Sequence, residues 1–283
     1  IVAGELIEGD LSDHAKLDNL MKEKSFDVVV HFAGSIVVPE SVENPIKYYK
    51  NNTENTLNLI QMCISNKINK FIFSSTAAVY GIPEDGLCLE DSLKRPINPY
   101  GQSKLMSEQM LIDTGIANSN FNYIILRYFN VAGASLDGNI GQCTPNATHL
   151  IKIACETVQG KRSKMAIFGD DYSTPDGTCI RDYIHVDDLA QAHEDALKYL
   201  VSKNDSQIFN CGYGEGYSVK EVIKAVKNVA KIDFKVDIIE RRLGDGPTLV
   251  AQSDKIKNML NWKPRHNNIE LIVKTALDWE EKI

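Results

Sequence analysis

The stretch "KFIFSSTAAVYG" (Lys70–Gly81) decides how the rest of the chain is read. Aromatic and β-branched residues fill its first half, and Ser74-Ser75-Thr76 close that half before a turn glycine. A short apolar run ending in hydroxyl and turn residues reads as a buried strand with chemistry at its end. On either side the periodicity changes. Upstream, "NTENTLNLIQMCISN" (52–66) spaces its apolar residues as a core-facing helix does, and downstream "YGQSKLMSEQMLIDTG" (100–115) does the same up to Gly115, a candidate C-terminal cap. Two more runs, "FDVVVHFAG" (26–34) and "YIILRYFNVAG" (123–133), extend the alternation. Strand and helix in turn predict an α/β chain with a doubly wound parallel sheet, in which ligands collect at the carboxyl ends of the strands. Phe32-Ala33-Gly34, Ser74-Ser75-Thr76 and Tyr128-Phe129-Asn130 fall at those ends.

The sheet is predicted to be incomplete at its N-terminal side. A doubly wound nucleotide-binding half opens with a glycine-rich turn whose following helix receives a pyrophosphate. Nothing before Asp10 matches that pattern, and "GYGEG" (212–216) lies in the wrong half. The expectation is therefore an upstream segment in the natural protein, and a chain that by itself neither folds well nor holds a dinucleotide tightly. Residues 1–130, with returning segments near 164–215, are assigned to a dinucleotide-binding domain; 131–163 and 216–283 to a smaller α/β substrate lobe. Between them "SLDGNIGQCTPNATHL" (135–150) is too rich in Gly, Asn and Pro for a simple connection, and long loops in compact domains are functional or disordered.

Composition excludes several classes. With 283 residues, 43% hydrophobic and 24% charged, the chain is of ordinary globular type. Its net charge of -7 supplies no basic excess for phosphates, so neither nucleic acid nor an anionic membrane is an expected partner. The six cysteines are scattered without a CxxC pair, which indicates no metal site, no disulfide framework and a reducing, cytoplasmic home. No apolar run approaches the ~20 residues that span a bilayer.

"NPYGQSKL" (Asn98–Leu105) carries the most specific chemistry. Asn98 and Pro99 read as an N-cap and first helical residue, which puts Tyr100 in the first turn and Lys104 one turn along on the same face. Helix dipole and ammonium both favour a phenolate there. Ionisation near neutrality requires a fall of roughly 3 units from the usual tyrosine pKa of ~10.

"SSTAAVYG", "NPYGQSK", "LRYFNVAGA" and "RDYIHVDDLA", in this order, resemble the extended short-chain dehydrogenase/reductase family, and the similarity runs from "EGDLSD" to "DWEEKI". Within it the chain is most similar to members that invert C4 of a UDP-hexose using NAD. The resemblance implies Tyr100 as acid/base on the 4-hydroxyl, Lys104 on the nicotinamide ribose, and Thr76 as hydrogen-bond partner of the same sugar oxygen. It implies cofactor contacts at Asp10, Leu11, Phe32, Ala33, Gly34, Asn51, Ser74, Tyr128 and Phe129, besides Tyr100 and Lys104. Ile36 stands where relatives often carry a lysine. For the UDP-sugar it implies Thr76, Asn130, His149, the strand Ala166-Ile167-Phe168, Arg181, Arg242 and Asp245, with Arg241 the alternative to Arg242. Relatives that also remove water need an acid soon after the Ser/Thr; Ala77 and Ala78 cannot move protons. That favours plain epimerisation, with another nucleotide-sugar epimerase or reductase, or a non-catalytic fragment, as alternatives. Leu249 stands where room for a 2-acetamido group is set, and leaves that preference open. The resemblance further implies a homodimer through the helices at 53–66 and 100–114.

Overall fold

The computed structural model describes residues 4–145, 147–242 and 244–283. Two compact units partition the chain: one takes residues up to Gly81, Leu93–Arg127 and His193–Phe209; the other takes Ile82–Ser92, Tyr128–Ala192 and Asn210–Ile283.

In the first unit, Phe71, Ile72 and Phe73 are fully buried in the strand Lys70–Thr76, as their apolar run predicts. A four-stranded sheet runs in the order Val29–His31 (β1), Lys70–Thr76 (β2), Asn122–Tyr128 (β4) and Gln207–Cys211 (β8). β1 and β2 are parallel with His31 opposite Phe73, so Phe32-Ala33-Gly34 and Ser74-Ser75-Thr76 leave the sheet at one edge. The helices are His14–Glu23 (α1), Val38–Glu43 (α2), Pro45–Tyr48 (α3), Asn55–Ser65 (α4) and Pro99–Ala117 (α5). Leu59, Ile60 and Cys63 of α4 and Leu111 of α5 pack on Phe71, Phe73, Phe121 and Ile125. Each large apolar side chain buried in this way contributes roughly 1.5–3 kcal/mol.

Two local features depart from periodic expectation. α5 continues two residues past Gly115, which is not the cap; a Cβ there would lie 2.8 Å from the Tyr123 ring, so the glycine makes room for packing. Between α3 and α4, Tyr49–Glu54 winds as a π-helix, a form concentrated at functional sites. From this wider turn both asparagines reach Ser35. Asn51 donates to its hydroxyl (2.8 Å), while Asn52 accepts from its N–H (2.7 Å) and donates to its carbonyl (3.0 Å).

In the second unit a five-stranded sheet runs Leu87–Cys88 (β3), Thr248–Ala251 (β11), Ile180–His185 (β7), Asn130–Ala132 (β5), with Gly216–Ser218 (β9) antiparallel on β7. Met165–Phe168 (β6) and Val236–Ile239 (β10) form a parallel pair. Leu150–Val158 (α6), Val219–Ala230 (α8), Asp254–Leu260 (α9) and Ile269–Glu280 (α10) complete it, and Val186–Lys203 (α7) follows β7. The run at 123–133 is thus two strands, β4 and β5, which pair in different sheets on either side of Phe129. "GYGEG" has a structural task. Buried Asp182 accepts the N–H groups of Tyr213 (2.9 Å), Gly214 (2.9 Å) and Ala251 (3.2 Å), tying that turn to the sheet. Burial raises the Asp182 carboxyl to about 6, with these three bonds pulling the other way. No helix among the described residues is long and apolar enough to cross a membrane.

Candidate active site

Tyr100, Lys104 and Thr76 all belong to the first unit. Asn98 caps α5 by accepting from the Gly101 N–H (2.8 Å), and Pro99 opens the helix, as the sequence predicts. Thr76 ends β2 in extended conformation, and its hydroxyl accepts from the Ala78 N–H (3.1 Å) at the start of the short 3-10 turn Ala77–Val79. The same hydroxyl acts on the Tyr100 phenol and favours its ionised form. One turn on, Lys104 is only 6% exposed, and its ammonium lies 4.1 Å from the centre of the Phe73 ring. Tyr48 packs edge-on to Tyr100 at 6.4 Å, and the Tyr48 hydroxyl donates to Val37 and Glu40.

The protonation states differ from the simple expectation. Burial raises the Tyr100 phenol above its usual pKa, and the Thr76 hydroxyl only partly opposes it. Burial brings the Lys104 amine down to about 7, with the Glu108 carboxylate pulling it back up. Taking a group out of water disfavours its charged form, whether phenolate or ammonium, and here that effect exceeds the help expected from the helix end.

α5 meets the turn after Thr76 closely. A Cβ on Gly101 would stand 2.6 Å from the Ala78 carbonyl. Gly101→Ala is therefore expected to cost about 1–3 kcal/mol by overpacking. A lower thermal midpoint together with a reduced turnover number would show that this contact seats Tyr100 against Thr76.

At the edge shared by β1 and β2, Phe32 is 62% exposed and Ala33 and Gly34 are also open to solvent. A Cβ on Gly34 would come within 3.0 Å of Asn52 Oδ1, so glycine permits the loop to be held down by Asn52. Asn52 also donates to the Ser103 hydroxyl (3.0 Å), which itself donates to the Tyr100 carbonyl (2.8 Å), so one buried side chain links this loop to α5. Asn51, half-buried, sits beside it. Ser74 is buried at the end of β2. Asp10 lies in the exposed segment before α1, where hydrogen bonds from the Ser12 hydroxyl and N–H hold its carboxyl below the usual range, and half-buried Leu11 follows. Sequence reading missed Asn52, Ser35 and Ser103. The doublet Asn51-Asn52 was the available signal, but only a π turn makes both neighbours useful.

In the second unit, Asn130, His149, Ala166, Ile167, Phe168, Arg181, Arg242 and Asp245 line a single cleft of about 680 Å³. Tyr128 and buried Phe129 lie at the handover from β4 to β5. Arg181, on β7, donates to the Ile180 carbonyl (2.8 Å) and stands 3.5 Å from Asp245. The Arg242 guanidinium carbon lies over the Phe168 ring, 3.6 Å from its centre, and burial holds the Arg242 pKa below the ordinary value. Arg241 is engaged elsewhere, on Asp171 (2.6 Å) and over the Tyr172 ring at 4.2 Å. His149 precedes α6; its Nδ1 accepts from Gln142 (2.8 Å), which leaves Nε2–H as a donor, and partial desolvation of this otherwise exposed residue lowers the ring's pKa. Two guanidinium groups, an aromatic face and a neutral donor in one cleft suit a phosphorylated ligand with a planar base. Cys179, Tyr183, Val219, Arg162, Lys164 and Asp237 also line the cleft and were not legible in the sequence. They come from separated strands and loops that no local spacing connects.

Residues 2–212 match the model of the NAD dependent epimerase/dehydratase family. The chain is 53% identical over 278 residues to a UDP-glucose 4-epimerase of Azospirillum brasilense, covering 98% of this chain and 80% of that protein. Among solved structures, a UDP-Glc/GlcNAc 4-epimerase from Campylobacter jejuni is 54% identical, with TM-score 0.85 over 99% of this chain and 85% of that one. A UDP-glucose 4-epimerase from Bifidobacterium longum in complex with NAD+ and UDP is 38% identical, with TM-score 0.93 over 98% of this chain and 82% of that one. The α/β architecture and the four motifs in register are thereby accounted for together: the chain belongs to the NAD dependent epimerase/dehydratase family.

Proposed function

We propose that this chain is an isomerase that binds NAD and interconverts UDP-glucose and UDP-galactose by inversion at C4. The observation that carries this reading is the Thr76 hydroxyl on the Tyr100 phenol with a buried lysine one turn away. The open edge at Phe32-Ala33-Gly34, pinned by Asn51 and Asn52 and lacking side-chain bulk, fits a dinucleotide lying close to the backbone. Asp10, Leu11, Phe32, Ala33, Gly34, Asn51, Ser74, Tyr128 and Phe129 would hold it, together with Tyr100 and Lys104. NAD, when bound, accepts hydride from C4 and returns it to the opposite face of the 4-keto sugar, so no net oxidation occurs. Tyr100 takes the 4-hydroxyl proton and later gives it back. Thr76 orients that oxygen, and Lys104 supports the phenolate while engaging the ribose. Arg181 and Arg242 would grip the diphosphate, Phe168 with Ala166 and Ile167 would flank the uracil, and Asn130, His149 and Asp245 would orient the rest. In this division of labour 1–130, with returning segments near 164–215, form the cofactor domain, from which Ala166–Phe168 and Arg181 also serve the substrate, and 131–163 with 216–283 form the substrate lobe.

Ala77 and Ala78, in the turn after Thr76, offer no acid or base for elimination, which supports epimerisation over dehydration. Leu249 lies opposite Arg181 in the β7–β11 register, and the Campylobacter relative acts on both UDP-Glc and UDP-GlcNAc, so acetamido sugars belong in the test. We also infer a cytoplasmic homodimer in galactose metabolism; exposed Leu57 and Ile64 on α4 and Met106 on α5 support the helical face as its interface.

The deciding experiment incubates UDP-galactose, and in parallel UDP-N-acetylgalactosamine, with the protein and NAD, and follows the sugar by proton NMR. UDP-glucose should accumulate with no rise in NADH absorbance. Stoichiometric NADH or an unsaturated product would overturn the reading.

A further inference from the structure

Behind the catalytic group lies a buried charge pair that the reaction as described does not use. Ser75, which precedes Thr76 on β2, donates its hydroxyl to Glu108 Oε1. Glu108 is one helical turn beyond Lys104 on α5. Arg127, near the end of β4, donates to the same carboxylate through Nε (3.0 and 3.2 Å) and Nη2 (2.7 Å), and through Nη1 to the Tyr80 hydroxyl (2.8 Å). Its guanidinium also faces the Tyr80 ring at 5.1 Å. Glu108 and Arg127 are each 1% exposed, Tyr80 2% and Ser75 3%.

Desolvating two charges is expensive, and an apolar pair of equal volume would join helix and strand at least as well. What leucine and methionine could not do is reach hydroxyl groups. The carboxylate holds Ser75 and the guanidinium holds Tyr80, and these residues bracket the segment that carries Thr76. We propose that Glu108 and Arg127 are positioning residues: their ion pair clamps the segment 75–80 at both ends, fixing Thr76 against Tyr100, and sets the field in which Lys104 sits. The kinetic part of this inference rests on the function proposed above; the electrostatic part does not.

The titratable and charged groups on Lys104's own helix and on the elements packed against it are Tyr100, Glu108 and Asp113 on α5, Glu40 and Glu43 on α2, Lys47 and Tyr48 on α3, Tyr49, Lys50 and Glu54 on the π turn, Cys63 on α4 and Lys70 on β2, with His31 on β1 and, bound to Glu108, Arg127 on β4. His31 is neutral, brought down to about 3 by burial and by Lys104 itself. Of all these, Glu108 is the one that moves the Lys104 amine, upward. Removing its charge, and leaving Arg127 uncompensated, must therefore lower the Lys104 pKa.

The test uses the full chain labelled with [ε-13C]lysine, with the Lys104 resonance assigned by Lys104→Arg. In Glu108→Gln the Lys104 midpoint should fall by at least about one pH unit. Ser75→Ala keeps every charge, so its Lys104 midpoint should stay put, while kcat falls about tenfold with KM for the UDP-hexose unchanged, the loss of one well-aimed hydrogen bond. Should Glu108→Gln not fold, the double variant Glu108→Leu with Arg127→Met decides: reduced kcat at a wild-type melting temperature supports the clamp, and wild-type kcat overturns it. An unmoved Lys104 midpoint in Glu108→Gln overturns the electrostatic role, and a wild-type kcat in Ser75→Ala overturns the positional one. A wild-type chain with no epimerase activity would sink the functional reading instead, and the lysine titration would still decide the field at Lys104.

Discussion

Tyr100→Phe is expected to lower kcat by about 10²–10⁴-fold, the usual worth of a positioned acid/base, with little change in the binding of NAD or UDP-hexose. The substitution removes one oxygen and retains the ring that packs against Tyr48, so the fold has no reason to change. What disappears is the ionisable group beside Thr76 to which the proposed mechanism gives the proton exchange at C4. Thr76 could orient the sugar hydroxyl but not ionise, and Lys104, whose amine is brought to about 7 by burial, lies one turn away over Phe73 rather than beside Thr76. Single-turnover kinetics measured beside calorimetric NAD binding check the claim. Near-normal turnover would remove Tyr100 from the proton path.

Arg181→Ala is expected to reduce kcat/KM for the UDP-hexose by about 100-fold, since truncating one member of a desolvated charge pair commonly costs 2–5 kcal/mol. Here the partner is a diphosphate. The Arg181 side chain is only 15% exposed and is held by the Ile180 carbonyl, so its guanidinium is fixed before any ligand arrives. Arg242 is fixed in a different way, by stacking on Phe168. Among the described residues neither arginine forms a short ion pair: Arg181 stands 3.5 Å from Asp245. Two preordered, weakly compensated guanidinium groups in one cleft are suited to a dianion. Isothermal titration with UDP separates binding from chemistry, and an unchanged Kd in Arg181→Ala would show that the diphosphate lies elsewhere.

Much of this could be read along the chain. The buried strand at Lys70–Thr76, the cap at Asn98, and Tyr100 facing Lys104's side of one helix all follow from interactions within a few residues. Strand ends assigned from parallel topology were likewise sound, because a parallel register with His31 opposite Phe73 carries both loops to one edge. Choosing Arg242 over Arg241 had no local basis. The fold separates them by what each side chain meets, Phe168 for one and Asp171 for the other.

Where the reading stopped, the cause was distance along the sequence. A continuous β-rich run gives no sign that it changes sheets at Phe129, because both halves share one composition and only their partners differ. The π turn at Tyr49–Glu54 breaks the period on which helix recognition depends. Charge was harder still. Spacing alone suggests a phenol made acidic by its lysine, whereas burial raises Tyr100 and lowers Lys104, and the carboxylate that restores the balance is tied to a strand nineteen residues further on. Sequence by itself determined the alternation, the Asn98 cap and the placing of Tyr100 and Lys104 one turn apart on one helix, since these are set by near neighbours. Tertiary structure alone decided which groups are taken out of water together, and that sets their protonation.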